Sequence, residues 1–218
     1  REKPNHRREE DILPRDGRVA SLLAPIRDNP SLRRLVIARL LYATASTTIV
    51  AFGAIYATAA IGFDRNSTRL SIMLVTLVGA VSAFIWGRVT DRIGCRKGLL
   101  LGLSAWLLGL GMMAAVPLLH LPPNVYWIAM VFVGLAFGSA LTSERPLIVS
   151  LCRSHEVGQT FGLFAMTTRT ASIIGPLIWA LVADWLHLGR PAAVVVLALL
   201  VVAALLIVQT VPEPSLGG

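Results

Sequence analysis

Gly87-Arg88-Val89-Thr90-Asp91-Arg92-Ile93-Gly94-Cys95-Arg96-Lys97 sets four cations and one acid between two apolar runs. The flanking runs extend over roughly Leu70 to Gly87 and Gly98 to Leu118. Each is close to the ~20 predominantly apolar residues that cross a bilayer as a helix. A short basic segment between two such runs reads as a connection at a membrane surface.

Outward from this segment the pattern repeats. Four further runs occur at Leu35 to Ala60, Tyr126 to Ser150, Phe161 to Ala183 and Pro191 to Val211. Breaker-rich stretches such as Asp64-Arg65-Asn66-Ser67 and Leu121-Pro122-Pro123-Asn124 separate them. Backbone exposed to lipid must satisfy its own hydrogen bonds, and these runs are too continuously apolar for alternating barrel strands. The expected fold is therefore an all-α membrane protein with six transmembrane helices over residues 35–211. Residues 1–34 precede the bundle and a tail, 212–218, follows it.

Composition agrees. Of 218 residues 55% are hydrophobic and 15% charged, with mean hydropathy +0.70, whereas soluble domains carry about 25% charged residues. The net charge of +8 does not indicate a nucleic-acid partner, because the cations flank apolar spans rather than form a basic face. Cys95 and Cys152 read as free thiols. His6, His120, His155 and His187 lie outside the spans without metal-ligand spacing, so no metal and no cofactor are expected. No Gly-rich nucleotide loop ending in Gly-Lys-Ser or Gly-Lys-Thr is present. His155-Glu156 lacks the second histidine of a zinc protease, and no Gly-x-Ser-x-Gly occurs, so an enzyme is not expected.

Lys and Arg counts set the orientation. The first 34 residues hold nine, the basic segment four, and the connection after the fourth run one, Arg153. The alternate connections hold only Arg65, Arg69 and Arg190. Both termini are thus expected in the cytoplasm of a multi-pass protein of a bacterial-type inner or plasma membrane. Residues 17–34 mix Val19, Leu22, Leu23 and Ile26 with Arg18, Arg27, Arg33 and Arg34. They read either as an amphipathic segment on the inner leaflet or as a solvated linker containing Pro25 and Pro30. The polar opening, without an initiator methionine, reads as an internal start within something longer.

Charges inside the spans sort the helices. Arg39 lies in the first, Glu144 and Arg145 in the fourth and Arg169 in the fifth, while the second, third and sixth hold none in their interiors. A charge at mid-span costs about 2.5–3.5 kcal/mol on insertion scales, so these four are expected to face a polar interior. Spans one, four and five should line it, and three and six should lie outside. Glu144 is the acidic residue within these spans and so the candidate proton carrier; an internal salt bridge to Arg39 or Arg169 is the plainer alternative. Gly134/Gly138 and Gly98/Gly102 have the spacing of close helix approach. Gly175-Pro176 reads as a hinge or as a tolerated kink. The run Thr44-Ala45-Ser46-Thr47-Thr48 either lines a cavity or bonds back to its own carbonyls.

The basic segment resembles the signature loop of the major facilitator superfamily at Gly87, Asp91, Arg92, Gly94, Arg96 and Lys97. Leu35-Val-Ile-Ala-Arg39-Leu-Leu-Tyr42 through Phe52-Gly53-Ala-Ile-Tyr56 resembles the seventh helix of its vacuolar-effluxer-like, autophagy-related branch. Phe161 through Leu177 resembles that branch's eleventh helix, where a cation commonly occupies the place of Arg169. Where the branch often has Asn-Asp-Gly after the tyrosine, Ala43-Thr44-Ala45 stands here. The resemblance implies the C-terminal half of a transporter, built as two inverted three-helix repeats and working by alternating access. It makes the signature loop a conformational latch, with Asp91 meeting a helix of the other half. The expected function is secondary transport of a small polar solute, anionic or zwitterionic, amino acids being the branch's suggestion. Arg39, Glu144, Arg145 and Arg169 are the candidate substrate or coupling residues. The expected partners are the solute, the bilayer, and an N-terminal six-helix half in the same or a separate chain, with a homodimer as runner-up. A non-transporting membrane scaffold is the alternative function.

Overall fold

The computed structural model describes residues 26, 27, 29–152 and 156–212. They form six helices: α1 (Pro30–Ala59), α2 (Arg65–Ile93), α3 (Cys95–Leu118), α4 (Asn124–Leu151), α5 (Val157–Ala180) and α6 (Arg190–Gln209). α5 continues through a π-helical turn, Leu181–Trp185. All six are long and apolar enough to cross a membrane. Residues 17–25 of the expected interfacial segment and the tail beyond residue 212 lie outside the described residues.

The helices overrun the apolar runs that announced them, for local reasons. α1 starts at Pro30 rather than near Leu35 because Asn29 caps it: its side-chain oxygen accepts from the amides of Ser31 (3.0 Å) and Leu32 (3.2 Å). Pro30 then occupies the first turn, where a missing N–H costs nothing. Asn29 also donates to the Leu151 carbonyl at 2.9 Å, tying the start of α1 to the end of α4. At the other end, the Asp64 carboxylate accepts from the amides of Ser67 (3.0 Å) and Asn66 (3.3 Å) and caps α2. Those hydrogen bonds, led by Ser67, hold its carboxyl below the usual range.

The basic segment is a correction to its reading as a loop. α2 runs through Gly87 to Ile93, and α3 begins at Cys95, so one residue makes the break. Gly94 has φ of 90°, a left-handed conformation that an L side chain resists, and its N–H still closes on Thr90 O at 2.9 Å. Gly87, where a Cβ would meet nothing within 4 Å, is an ordinary helix position. Arg96 turns inward: its guanidinium donates to the carbonyls of Val208 and Gln209, while Arg34 donates to Thr210 O at 3.0 Å. Two cations thus satisfy the orphan carbonyls at the C-terminus of α6, where the helix dipole is negative.

Packing exchanges partners between the two triplets α1–α3 and α4–α6. α2 packs on α4 and α5 on α1; α3 packs on α4, and α6 on α1; α3 and α6 pair with each other. Three spans per triplet set the second in the opposite sense to the first. The close approaches fall at the small residues. Ser139 donates to Gly98 O (2.8 Å) and Ser82 to Gly134 O (3.2 Å). At Gly138 a Cβ would lie 2.8 Å from the Ala83 nitrogen and also strike the Ser82 hydroxyl. Gly175 meets Thr48 and the Thr44 carbonyl of α1, which gives that glycine a packing reason while α5 runs unbroken through Pro176. The Thr44–Thr48 hydroxyls all return to carbonyls of their own helix, Thr48 to Thr44 O at 2.6 Å, so that run contributes no free donors.

Gly138→Ala should lower stability by about 1–3 kcal/mol, because α2 backbone must retreat. Gly111→Ala, where a Cβ meets nothing within 4 Å, should leave it unchanged or raise it. Thermal unfolding of the two variants in one detergent checks this; equal midpoints would show that the α2–α4 contact is not set by the missing Cβ.

Candidate functional site

Arg39 and Tyr42 stand three residues apart on α1 and so share one face of the helix. That face meets Glu144 of α4 and Thr168 of α5. Arg39 donates to Glu144 Oε2 in an ion pair that bridges the two triplets. It also donates to the Tyr42 hydroxyl at 3.2 Å and to Thr168 Oγ1 at 3.1 Å. The Tyr42 hydroxyl donates to Glu144 Oε1 at 2.6 Å, so both carboxylate oxygens accept from donors on α1. The guanidinium carbon lies 5.0 Å from the Phe164 ring centroid, within cation–π range. The arrangement suits an ionised Glu144, since a proton on either oxygen displaces one of its two donors.

The pair is sheltered but reachable: the side chains of Arg39 and Glu144 are 16% and 15% exposed. Arg39 Nε is buried and makes no hydrogen bond, leaving one donor of the guanidinium unspent. The cluster joins the first helix of one triplet to the first and second helices of the other. α3 and α6 contribute nothing to it, in keeping with their lack of internal charge.

The remaining sequence candidates lie elsewhere. Arg169 is exposed on α5, and its side chain makes no ion pair or hydrogen bond among the described residues. Its neighbour Thr168, about 100° around the helix, is the residue that meets Arg39. Arg145 is exposed beside Glu144, and Asp91 and Arg92 are exposed at the end of α2. Tyr42 and Thr168 are site residues that the sequence did not single out. The i, i+3 spacing of Tyr42 from Arg39 was the available signal; Thr168 carried none. Asp184, in the π-helical turn, is a second acid within the fifth hydrophobic helix and is exposed at its end. Outside the spans, burial pushes the Cys152 thiol up.

Beyond Tyr42 the face of α1 opens onto a cavity of about 490 Å³ between α1, α2 and α4. Val50 and Gly53, Val75 and Gly79, and Met130 and Phe137 form opposing walls, and Leu141 lies three residues before Glu144. The chamber and the ionic cluster are thus consecutive along α4.

A bundle with these exchanged triplets can be compared with known proteins. The family model of the Major Facilitator Superfamily matches residues 35–217. The chain belongs to the major facilitator superfamily. Among solved structures, the superfamily's proton:xylose symporter XylE bound to 6-bromo-6-deoxy-D-glucose superposes with a TM-score of 0.68. That match covers 84% of this chain and 44% of that one at 14% identity, and it supports the fold. The proton-coupled antiporter flippase LtaA of Staphylococcus saprophyticus is 25% identical over 146 residues, 67% of this chain and 36% of that protein. A multi-drug resistance efflux pump PmrA homolog of Lactococcus lactis is 27% identical over 145 residues, 66% and 34% respectively. The uncharacterized MFS-type transporter YxiO of Bacillus subtilis is 23% identical over 199 residues, 91% and 45% respectively. The chain spans between about a third and a half of the length of these relatives.

Removing one member of a sheltered ion pair strands the other, whereas replacing both by apolar residues can be close to neutral. Arg39→Met or Glu144→Leu alone should each cost about 3 kcal/mol, and the double variant should recover most of that loss. Unfolding in mixed micelles measures the cycle. Strict additivity of the two single losses would mean that the pair is not coupled.

Proposed function

We propose that this chain is the C-terminal six-helix half of a secondary active transporter, with Glu144 carrying the coupling proton. The observation that supports this is the double bonding of Glu144 by Arg39 and Tyr42 across the two triplets. Protonation would cancel the ionic attraction, release Arg39 and loosen α1 from α4 at that end. Released, Arg39 is a cation ready for the negative group of a solute, so proton binding and solute binding exchange the same guanidinium. The solute class this favours is a small anionic or zwitterionic molecule, amino acids among them, with Arg145 and Arg169 as further cations. A relative described as a proton-coupled antiporter and another described as an efflux pump support both coupling and outward transport. Placement in the vacuolar-effluxer-like branch rests on the helix resemblances through Tyr56 and through Arg169.

In this reading the Gly94 end and both termini are cytoplasmic, and an N-terminal half covers the exposed faces of the bundle. Asp91, free of ion pairs among the described residues, is the latch residue toward that half. Gly87, Arg92, Gly94 and Lys97 shape the segment, Arg96 anchors it to α6, and Gly175-Pro176 lets α5 flex during rocking. The scaffold alternative shares the fold but requires no flux.

The whole protein, with its N-terminal half, should accumulate at least one radiolabelled anionic or zwitterionic amino acid in liposomes under an imposed pH gradient. Glu144→Gln should reduce gradient-driven uptake at least about tenfold while leaving solute exchange without a gradient. Gradient-driven uptake that persists in Glu144→Gln removes Glu144 as carrier, and no flux of any tested solute favours the scaffold. These six helices, if monomeric, monodisperse and active by themselves, would overturn the need for a second half.

A further inference from the structure

We infer that the chamber between α1, α2 and α4 holds an apolar part of the transported solute, which is therefore an organic anion bearing an aromatic or branched hydrocarbon body. The inference rests on the transport reading and adds the chemistry of the solute's uncharged portion.

The size of the chamber is the first argument. At about 490 Å³ it falls within the ~300–1,000 Å³ of small-molecule sites. It is far larger than a packing defect, since a water's share of liquid volume is about 30 Å³. Its lining is the second. The hydroxyls of Ser71 and Thr76 are already spent on carbonyls of their own helix, Thr68 (2.8 Å) and Ile72 (2.9 Å). A hydrated or multiply hydroxylated body would find few partners there, and a buried polar group without one is unfavourable. Met113, Met130 and Phe137 instead offer polarizable and aromatic surface that adapts to flat or branched hydrocarbon.

The hollow exists because the walls are small. A Cβ at Gly53 would meet only Ile49 Cγ2, at 4.0 Å, so a side chain there would extend into open space. Position completes the argument. Leu141 is three residues, about 4.5 Å along the axis, from Glu144. A solute with its body among the methionines therefore sets its charged group toward Arg39, whose Nε has no partner. An apolar chamber running into a cation that a proton can release selects an amphipathic anion over a fully polar one.

The probe is benzophenone-4-carboxylate, an organic anion with a rigid apolar body that inserts on illumination into nearby C–H bonds, methionine side chains most readily. Of the five methionines, Met113 and Met130 line the chamber, and Met73, Met112 and Met166 do not. With the whole protein in lipid nanodiscs, peptide mass spectrometry should find labelling at Met113 and Met130 at least about fivefold above the other three. Gly53→Phe should cut that labelling about tenfold without lowering the thermal midpoint. Excess 4-phenylbenzoate should displace the probe where equal glutamate does not. Even labelling of all five methionines, labelling indifferent to Gly53→Phe, or displacement by glutamate as strong as by 4-phenylbenzoate would each overturn the inference. Displacement by added phosphatidylglycerol alone would identify a lipid acyl chain as the occupant and overturn it too. Labelling requires neither flux nor a pH gradient. Even labelling in a protein with intact Glu144-dependent uptake defeats the chamber alone, whereas loss of all flux defeats the transport reading.

Discussion

Apolar helices in a bilayer gain little by burying their faces against one another, because the lipid they leave is as apolar as the neighbour they meet. What holds them is how closely their backbones can approach, together with the hydrogen bonds that become available at that range. α4 shows the constraint most fully. Gly134 and Gly138 let α2 settle against one side, and Ser139 and Ser143 fit beside Gly98 and Gly102 of α3 on another. Hydroxyls and an indole N–H then bond carbonyls across the gaps, Trp86 reaching Leu135 O at 2.9 Å. The exchanged packing of the triplets, and hence the meeting of Arg39 with Glu144, depends on these approaches.

On that frame the polar groups are placed economically. One sheltered carboxylate, one cation and one phenol join α1 to α4, and a hydroxyl on α5 completes the ring. Elsewhere polar side chains are returned to their own helices or to helix ends. Arg34 and Arg96 illustrate the second use, closing the carbonyls of α6 so that a basic segment serves the fold as well as the surface. The chamber owes its dryness to the same economy, since the hydroxyls around it are occupied.

Much of this was legible in the residues. Span number, the glycine approaches and the importance of Arg39 and Glu144 follow from costs that act locally and strongly: uncovered backbone, uncovered charge, missing Cβ. Other features were not legible, because they depend on rotation and on distant partners. Arg169 drew attention by its charge, yet the residue before it faces Arg39. The expected loop from Gly87 to Lys97 contained good helix formers and needed only the positive φ of Gly94 to turn, so most of it is helix. Pro30, read as a breaker, is a helix start once Asn29 is seen to cap. The end of α6 gave no sign that arginines more than a hundred residues earlier would close it.

The exchange of partners between the triplets bears on how such a protein is made. α1, α2 and α3 emerge from the ribosome first, yet α2 finds its main neighbour only when α4 arrives, and α1 waits for α5 and α6. The early helices must persist in the membrane as independent spans, each stable by its own backbone bonding, before any lasting tertiary contact exists. Ser82 and Arg39 in particular spend that interval without their cross-helix partners. The order of synthesis and the order of assembly therefore differ, and the short apolar spans with few internal charges are what make the delay tolerable.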